Sequence, residues 1–320
     1  MPIDMPLEKL KEYKGINPKP ADFDAYWERG LAEISQIQPR VKVFETGIVS
    51  RTAEICDLVY DSVGGAKVRA QYLRRKDLRG KAPVVLLFHG YEAMHREYFD
   101  KLAFVNEGFI VLAMDCRGQN GKSTDPLPAE RSTGTGHIIR GLDEEDPDCL
   151  YFRNVYLDTV QLVRVAKQLP NADTQNIFVK GASQGGGLAV ACAALCGKDI
   201  RKIAPSIVFL SDFKRVFEMD MMRDAYGELK TYIRDRAPVC GDEERIWNRL
   251  GYIDIHNLAP RVTAEVLWGL GMIDTVCPPS TQFAAFNQIG AKKEMIIYSN
   301  HGHEALLPFF SDRVLNFFNM

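Results

Sequence analysis

The chain has 320 residues, 46% of them hydrophobic, and 40 Lys/Arg against 42 Asp/Glu leave a formal charge of -2. That balance excludes a nucleic-acid binder held mainly by phosphate contacts, and no apolar run approaches the ~18 residues a membrane span requires. At roughly 100–200 residues per domain two units fit this length, but an α/β fold also uses it for one, and a single domain over 1–320 is expected.

The opening MPIDMPLEKLKEYKG lacks the basic start and apolar stretch of a secretory leader, so a cytoplasmic protein is expected. Pro18 and Pro20 precede a helix through Tyr26-Trp27 to about Gln36, for which Asp22 is a candidate cap. Strand-like runs follow at Val41–Val49, Glu54–Ser62 and Lys67–Arg74, the last two joined through Gly64-Gly65 as a hairpin. Residues 1–80 thus read as a helix and antiparallel edge strands. From Pro83 short apolar runs alternate with helical stretches: PVVLLF, a helix through Tyr98–Asn106, FIVLAM, a helix over Asn154–Gln168, NIFVKG, QGGGLAVACAAL and APSIVFL. AEVLWGLG, a helix through Ser280–Ile289, EMIIYS and a helix ending at Phe318 complete the pattern. Such alternation predicts a mostly parallel central sheet with helices on both faces.

Two stretches interrupt it. Arg117–Asp148 is rich in Gly, Pro, Ser, Thr and acid and is too long for a plain connection. Residues 214–258 are helix-prone and charged, a helical insert between two strands that could cover a site, meet another subunit, or be a solvated excursion. The seven cysteines lack the close pairing of a zinc site, and Cys192 and Cys196 would share a helix face as small core residues.

Gly181-Ala182-Ser183-Gln184-Gly185, followed by Gly186 and Gly187, lies between NIFVK and GLAVACAAL. A sharp strand-to-helix turn would hold Ser183 in a strained conformation, and its neighbours two positions away must be small. The helix behind it aims free N–H groups and a positive dipole end at the hydroxyl. A serine nucleophile needs a base, and of six histidines His301 and His303 follow the last strand, at the sheet edge where Ser183 emerges. His303 is favoured over His301. The His-x-His-Glu run also invites a metal reading, but no further ligands stand nearby in the sequence.

An acid must orient the imidazole, and Asp274, after AEVLWGLG, is preferred to Asp212, after IVFLS. The order Ser183, Asp274, His303 is that of an α/β-hydrolase fold. Oxyanion donors are then expected from the backbone N–H groups of Gln184 and of Tyr91, in the loop His89-Gly90-Tyr91, with His89 shaping that loop.

GASQGG, Arg117-Gly118-Gln119 and His303-Glu304 together resemble the acetyl xylan esterase / cephalosporin C deacetylase family, carbohydrate esterase family seven. The resemblance extends over NPKPADFDAYW, GHIIRGL at 136–142 and GMIDTVCPPSTQFAAFN. It implies an α/β-hydrolase fold, a Ser183/Asp274/His303 triad with Tyr91 and Gln184 as oxyanion donors, and deacetylation of small acetylated sugars and cephalosporins. It also implies a cytoplasmic, ring-like hexamer. Asn120 stands where a further glycine is expected, and His301 where an aromatic residue is more usual. Arg117 and Gln119 read as a structural tie between loops. The chemistry requires no metal or organic cofactor, and neither nucleic acid nor membrane is expected as a partner. A peptidase or longer-chain esterase on the same fold, and a non-catalytic binding protein, are the rival readings.

Overall fold

The computed structural model describes residues 3–126, 137–304 and 306–320. Residues 127–136 of the expected long loop, including Gly136 of GHIIRGL, lie outside them. Nine strands form one sheet: β1 (Lys42–Glu45), β2 (Ala53–Asp61), β3 (Lys67–Arg75), β4 (Ala82–Phe88), β5 (Ile110–Met114), β6 (Ala172–Ala182), β7 (Lys202–Ser206), β8 (Glu265–Gly271) and β9 (Lys293–Tyr298). Their order across the sheet is β1-β2-β3-β5-β4-β6-β7-β8-β9. β1, β2, β3 and β5 pair antiparallel, and every pair from β5 through β4 to β9 is parallel. The β2–β3 hairpin turns at Gly64 and Gly65, whose φ values of 65° and 78° suit residues without a Cβ.

Eleven α-helices occur among the described residues: α1 (Leu7–Leu10), α2 (Phe23–Gln36), α3 (Leu102–Asn106), α4 (Tyr151–Gln168), α5 (Gln184–Cys196), α6 (Phe213–Glu218), α7 (Gly227–Arg236), α8 (Glu244–Leu250), α9 (Ile255–Leu258), α10 (Pro279–Gln288) and α11 (Phe310–Asn319). Because side chains alternate along a strand, each central strand feeds two cores. Val84 and Leu86 of β4, Ile177 and Val179 of β6, and Val266 and Trp268 of β8 face the larger core, with α2, α4, α5 and α9. Val85, Phe178 and Leu267 face the smaller one, with Phe310, Val314 and Phe318 of α11. Burial on both faces explains why these strands read as continuous apolar runs.

Four expectations need correction. The run APSIVFL is strand only to Ser206; Ile207 and Leu210 take positive φ, and Phe209 N–H donates to the Ser183 carbonyl at 3.1 Å. The segment wraps the turn that carries Ser183 instead of continuing the sheet. Asp22 makes no side-chain cap on α2, because its carboxylate accepts from Tyr252 Oη at 2.5 Å. The expected 41–49 strand shortens to exposed β1, and Tyr98–Asn106 to a tight turn over Phe99–Lys101 followed by α3. The stretch 214–258 is helical, containing α7, α8, α9 and most of α6.

Candidate active site

Ser183 sits between β6 and α5 with φ 56° and ψ -121°, a conformation costly for any residue with a Cβ. Its surroundings enforce it. A Cβ on Gly181 would collide with the Gly185 backbone, and one on Gly185 with the Phe88 carbonyl. A Cβ on Gly186 would lie 2.9 Å from the Ser206 carbonyl oxygen and one on Gly187 2.6 Å from that of Phe209. The glycine run therefore lets α5 lie against β4 and β7 while the serine projects from the turn. Ser183 N–H donates to Ser206 at 3.0 Å, fixing the turn to the end of β7.

Residues remote in sequence meet at that hydroxyl. His303 Nε2 lies 3.0 Å from Ser183 Oγ, and His303 Nδ1 lies 2.9 Å from Asp274 Oδ2. The other Asp274 oxygen accepts the N–H groups of Val276 at 2.9 Å and Cys277 at 2.7 Å. Asp274 is fully buried, so these bonds hold a carboxylate that water does not reach. In this geometry Nδ1–H donates to Asp274, leaving Nε2 free to accept the serine proton.

The two competitors are occupied elsewhere. His301 Nδ1 pairs with Glu304 at 2.8 Å. Asp212 accepts from Tyr13 Oη at 2.7 Å and from the N–H groups of Ile16 and Asn17 at 3.0 and 2.9 Å, so it fastens the amino-terminal arm. His303-Glu304 does not adjoin a helix start, since α11 begins only at Phe310. Among the described residues one trio could hold a metal ion: Asp274, Cys277 and His303, with ligand atoms within 4.8 Å of one another. Burial first, then the Asp274 charge, pushes the Cys277 thiol up, so it sits there protonated.

The Gln184 backbone heads α5, and Tyr91 follows β4 across the same opening; neither N–H donates to a protein acceptor among the described residues. His89 Nε2 accepts from Cys116 N–H at 2.9 Å, its Nδ1 lies 2.7 Å from the Gly90 carbonyl, and burial lowers its pKa. The ring is thus a neutral strut for this loop. Gln119 Nε2 donates to Gln184 Oε1 at 2.7 Å and to Tyr151 Oη at 3.1 Å. Arg117, fully buried, holds Asp158 through Nε at 2.7 Å and Nη2 at 2.6 Å. The Arg-Gly-Gln segment therefore ties the start of the long loop to α4 and to the residue after Ser183.

One contact had no signal in the sequence. Tyr91 Oη donates to Glu228 of α7 at 2.5 Å and accepts from Ile138 N–H at 3.2 Å. Burial raises the Glu228 carboxyl, partly offset by the tyrosine hydrogen bond. The insert and the long loop thus converge on the loop opposite Ser183, and Tyr91 also packs against Phe209 at 5.3 Å.

The pattern of the family described as acetyl xylan esterase (AXE1) matches residues 1–320. The chain belongs to the acetyl xylan esterase family. It is 44% identical to acetyl xylan esterase 1 of Thermoanaerobacterium sp. JW/SL YS485, over 98% of both chains with a TM-score of 0.95. It is 32% identical to the acetyl xylan esterase of Paenibacillus sp. R4, over 98% of this chain and 99% of that one, with a TM-score of 0.92. Acetyl esterase Axe7A of Xylanibacter ruminicola is 29% identical over 92% of this chain, which spans 65% of that relative's length. The nine-stranded sheet with helices on both faces is the α/β-hydrolase fold of this family. No helix among the described residues is long and apolar enough to cross a membrane.

Proposed function

We propose that the protein is a serine esterase that removes acetyl groups from small acetylated substrates, acetylated xylo-oligosaccharides and cephalosporin C type esters among them. The observation that carries this is the unbroken relay from Ser183 Oγ through both His303 nitrogens to buried Asp274. Ser183 Oγ attacks the acetyl carbonyl carbon while His303 Nε2 takes its proton. The Tyr91 and Gln184 N–H groups receive the charge that develops on the carbonyl oxygen. The bond to the alcohol then breaks, and His303 returns the proton to the departing hydroxyl. Water, deprotonated by the same imidazole, releases acetate and restores the serine. Asp274 holds the ring and stabilises its cation throughout.

Family membership supports the acetyl preference, and so does the crowding of the opening by Tyr91, Phe209 and α7. We further propose a single hydrolase domain working as a cytoplasmic homo-hexamer. Support for self-association comes from edge strand β1 and its loop, where Val43, Phe44, Ile48 and Val49 are exposed together.

The test is a hydrolysis series over acetyl, butyryl and octanoyl esters and a peptide amide, with acetate release from acetylated xylo-oligosaccharides. Acetyl esters are expected to be cleaved fastest and the amide not at all. Preference for octanoyl or peptide substrates would overturn the assignment.

A further inference from the structure

Beside the catalytic turn lies a cavity of about 270 Å³, which none of Ser183, Asp274 and His303 lines. Its floor is the carboxyl ends of β4, β6 and β7. Its side is formed by Leu306, Leu307 and Phe310. Lys180 lines it. This lysine stands on β6 between Leu87 and Ala204 of the neighbouring strands, on the face that carries Phe178.

A lysine at an interior strand position ordinarily has a carboxylate beside it. Among the described residues Lys180 has none: no hydrogen bond or ion pair of its ammonium occurs, and burial alone lowers its pKa. Among the described residues no Asp or Glu lines the cavity. Its other titratable wall groups are His89 and His95, and burial lowers the pKa of both. The cavity thus presents one ammonium without a protein partner among the described residues, on a wall that mixes Leu87, Leu307 and Phe310 with His89, Ser206 and Ser311.

We propose that this cavity binds a small monocarboxylate, its charge paired with Lys180 and its short hydrocarbon chain against the apolar wall. One ammonium neutralises one negative charge, so a singly charged anion matches Lys180 better than a dianion would. The volume suits a carboxylate with a few methylenes and excludes an oligosaccharide or peptide. No triad residue lines the site, although His89 and Gly90 of the Tyr91 loop do, and the proposal does not depend on the hydrolase reading.

Sodium butyrate is the probe, with neutral butyramide as its isostere, and binding is read by saturation-transfer NMR on the full-length protein. Butyrate is expected to bind the wild type at least about tenfold more tightly than butyramide, and Lys180→Met to remove that difference, the worth of one charge-assisted contact. Hydrolysis of 4-nitrophenyl acetate should stay within about twofold of wild type in the variant, since Lys180 touches no reacting atom. Equal binding of the two probes to the wild type overturns the proposal, whatever the variant's stability. Unchanged butyrate affinity in folded Lys180→Met also overturns it and places the carboxylate elsewhere, at the triad for instance.

Discussion

The turn that carries Ser183 and the cover that leans over it are built on different principles. At the turn every constraint is local and steric: four glycines within seven residues, each with backbone where a Cβ would stand. The cover is held by polar contacts between segments far apart in sequence. Tyr91 meets Glu228, Tyr232 meets Asp143 at 2.9 Å, and Arg249 reaches the carbonyls of Glu144 and Glu145 at 2.9 and 2.8 Å. A steric turn admits almost no substitution and so has a fixed chemistry. Polar contacts of that kind can change residue by residue, so substitutions there should have graded effects.

That contrast orders the outcomes of mutation. Ser183→Ala should lose about 10⁶ in kcat towards 4-nitrophenyl acetate, by comparison with other serine hydrolases. Retention of a tenth of the activity would place the nucleophile elsewhere and void the contrast. Asp274→Asn should cost about 10⁴ in kcat with little change in KM, because an amide stabilises the wrong imidazole tautomer. Wild-type kcat in folded Asp274→Asn would remove Asp274 as the residue that orients His303.

The cover should yield smaller numbers. Glu228→Ala leaves the half-buried Tyr91 hydroxyl without its acceptor, a loss of about 1–3 kcal/mol at most, so kcat/KM for acetyl esters should fall no more than about tenfold to a hundredfold. Glu228→Gln, which keeps an acceptor, should recover most of it. A loss matching Asp274→Asn would show that the cover is part of the machinery and not its adjustable rim.

The smallest effect concerns stability. Burial holds His137 down at about 4, against an ordinary value of 6.5. Between those values the unfolded chain binds a proton that the folded one refuses, so stability is full above about pH 6.5 and is lost as pH falls towards 4. His137→Phe should flatten that part of the Tm-against-pH curve, by a few degrees at about pH 5. An unaltered slope would mean that the ring titrates freely.

How much of this was legible in the sequence follows the same division. The glycines around Ser183 declare the turn because their spacing is the constraint itself. The succession of strands and helices along the chain follows from apolar runs, yet the same signal misled at Ile207–Leu210. An apolar run reports burial, and that segment is buried as an irregular wrap around the turn instead of as a strand. Asp212 and Asp274 both end an apolar stretch, and nothing local separates them. They part only when the fold brings residue 13 to one and residue 303 to the other. Glu228 gave no sign, because its partner lies 137 positions away and both are ordinary surface-type residues in isolation.

The fastening of Asp212 has a practical corollary. Three donors from Tyr13, Ile16 and Asn17 converge on a carboxylate at the root of the α6–α9 stretch. A trimming of the chain just before Asn17 would withdraw two of them at once, the Tyr13 hydroxyl and the Ile16 N–H. The first two dozen residues are therefore less a tail than a keystone.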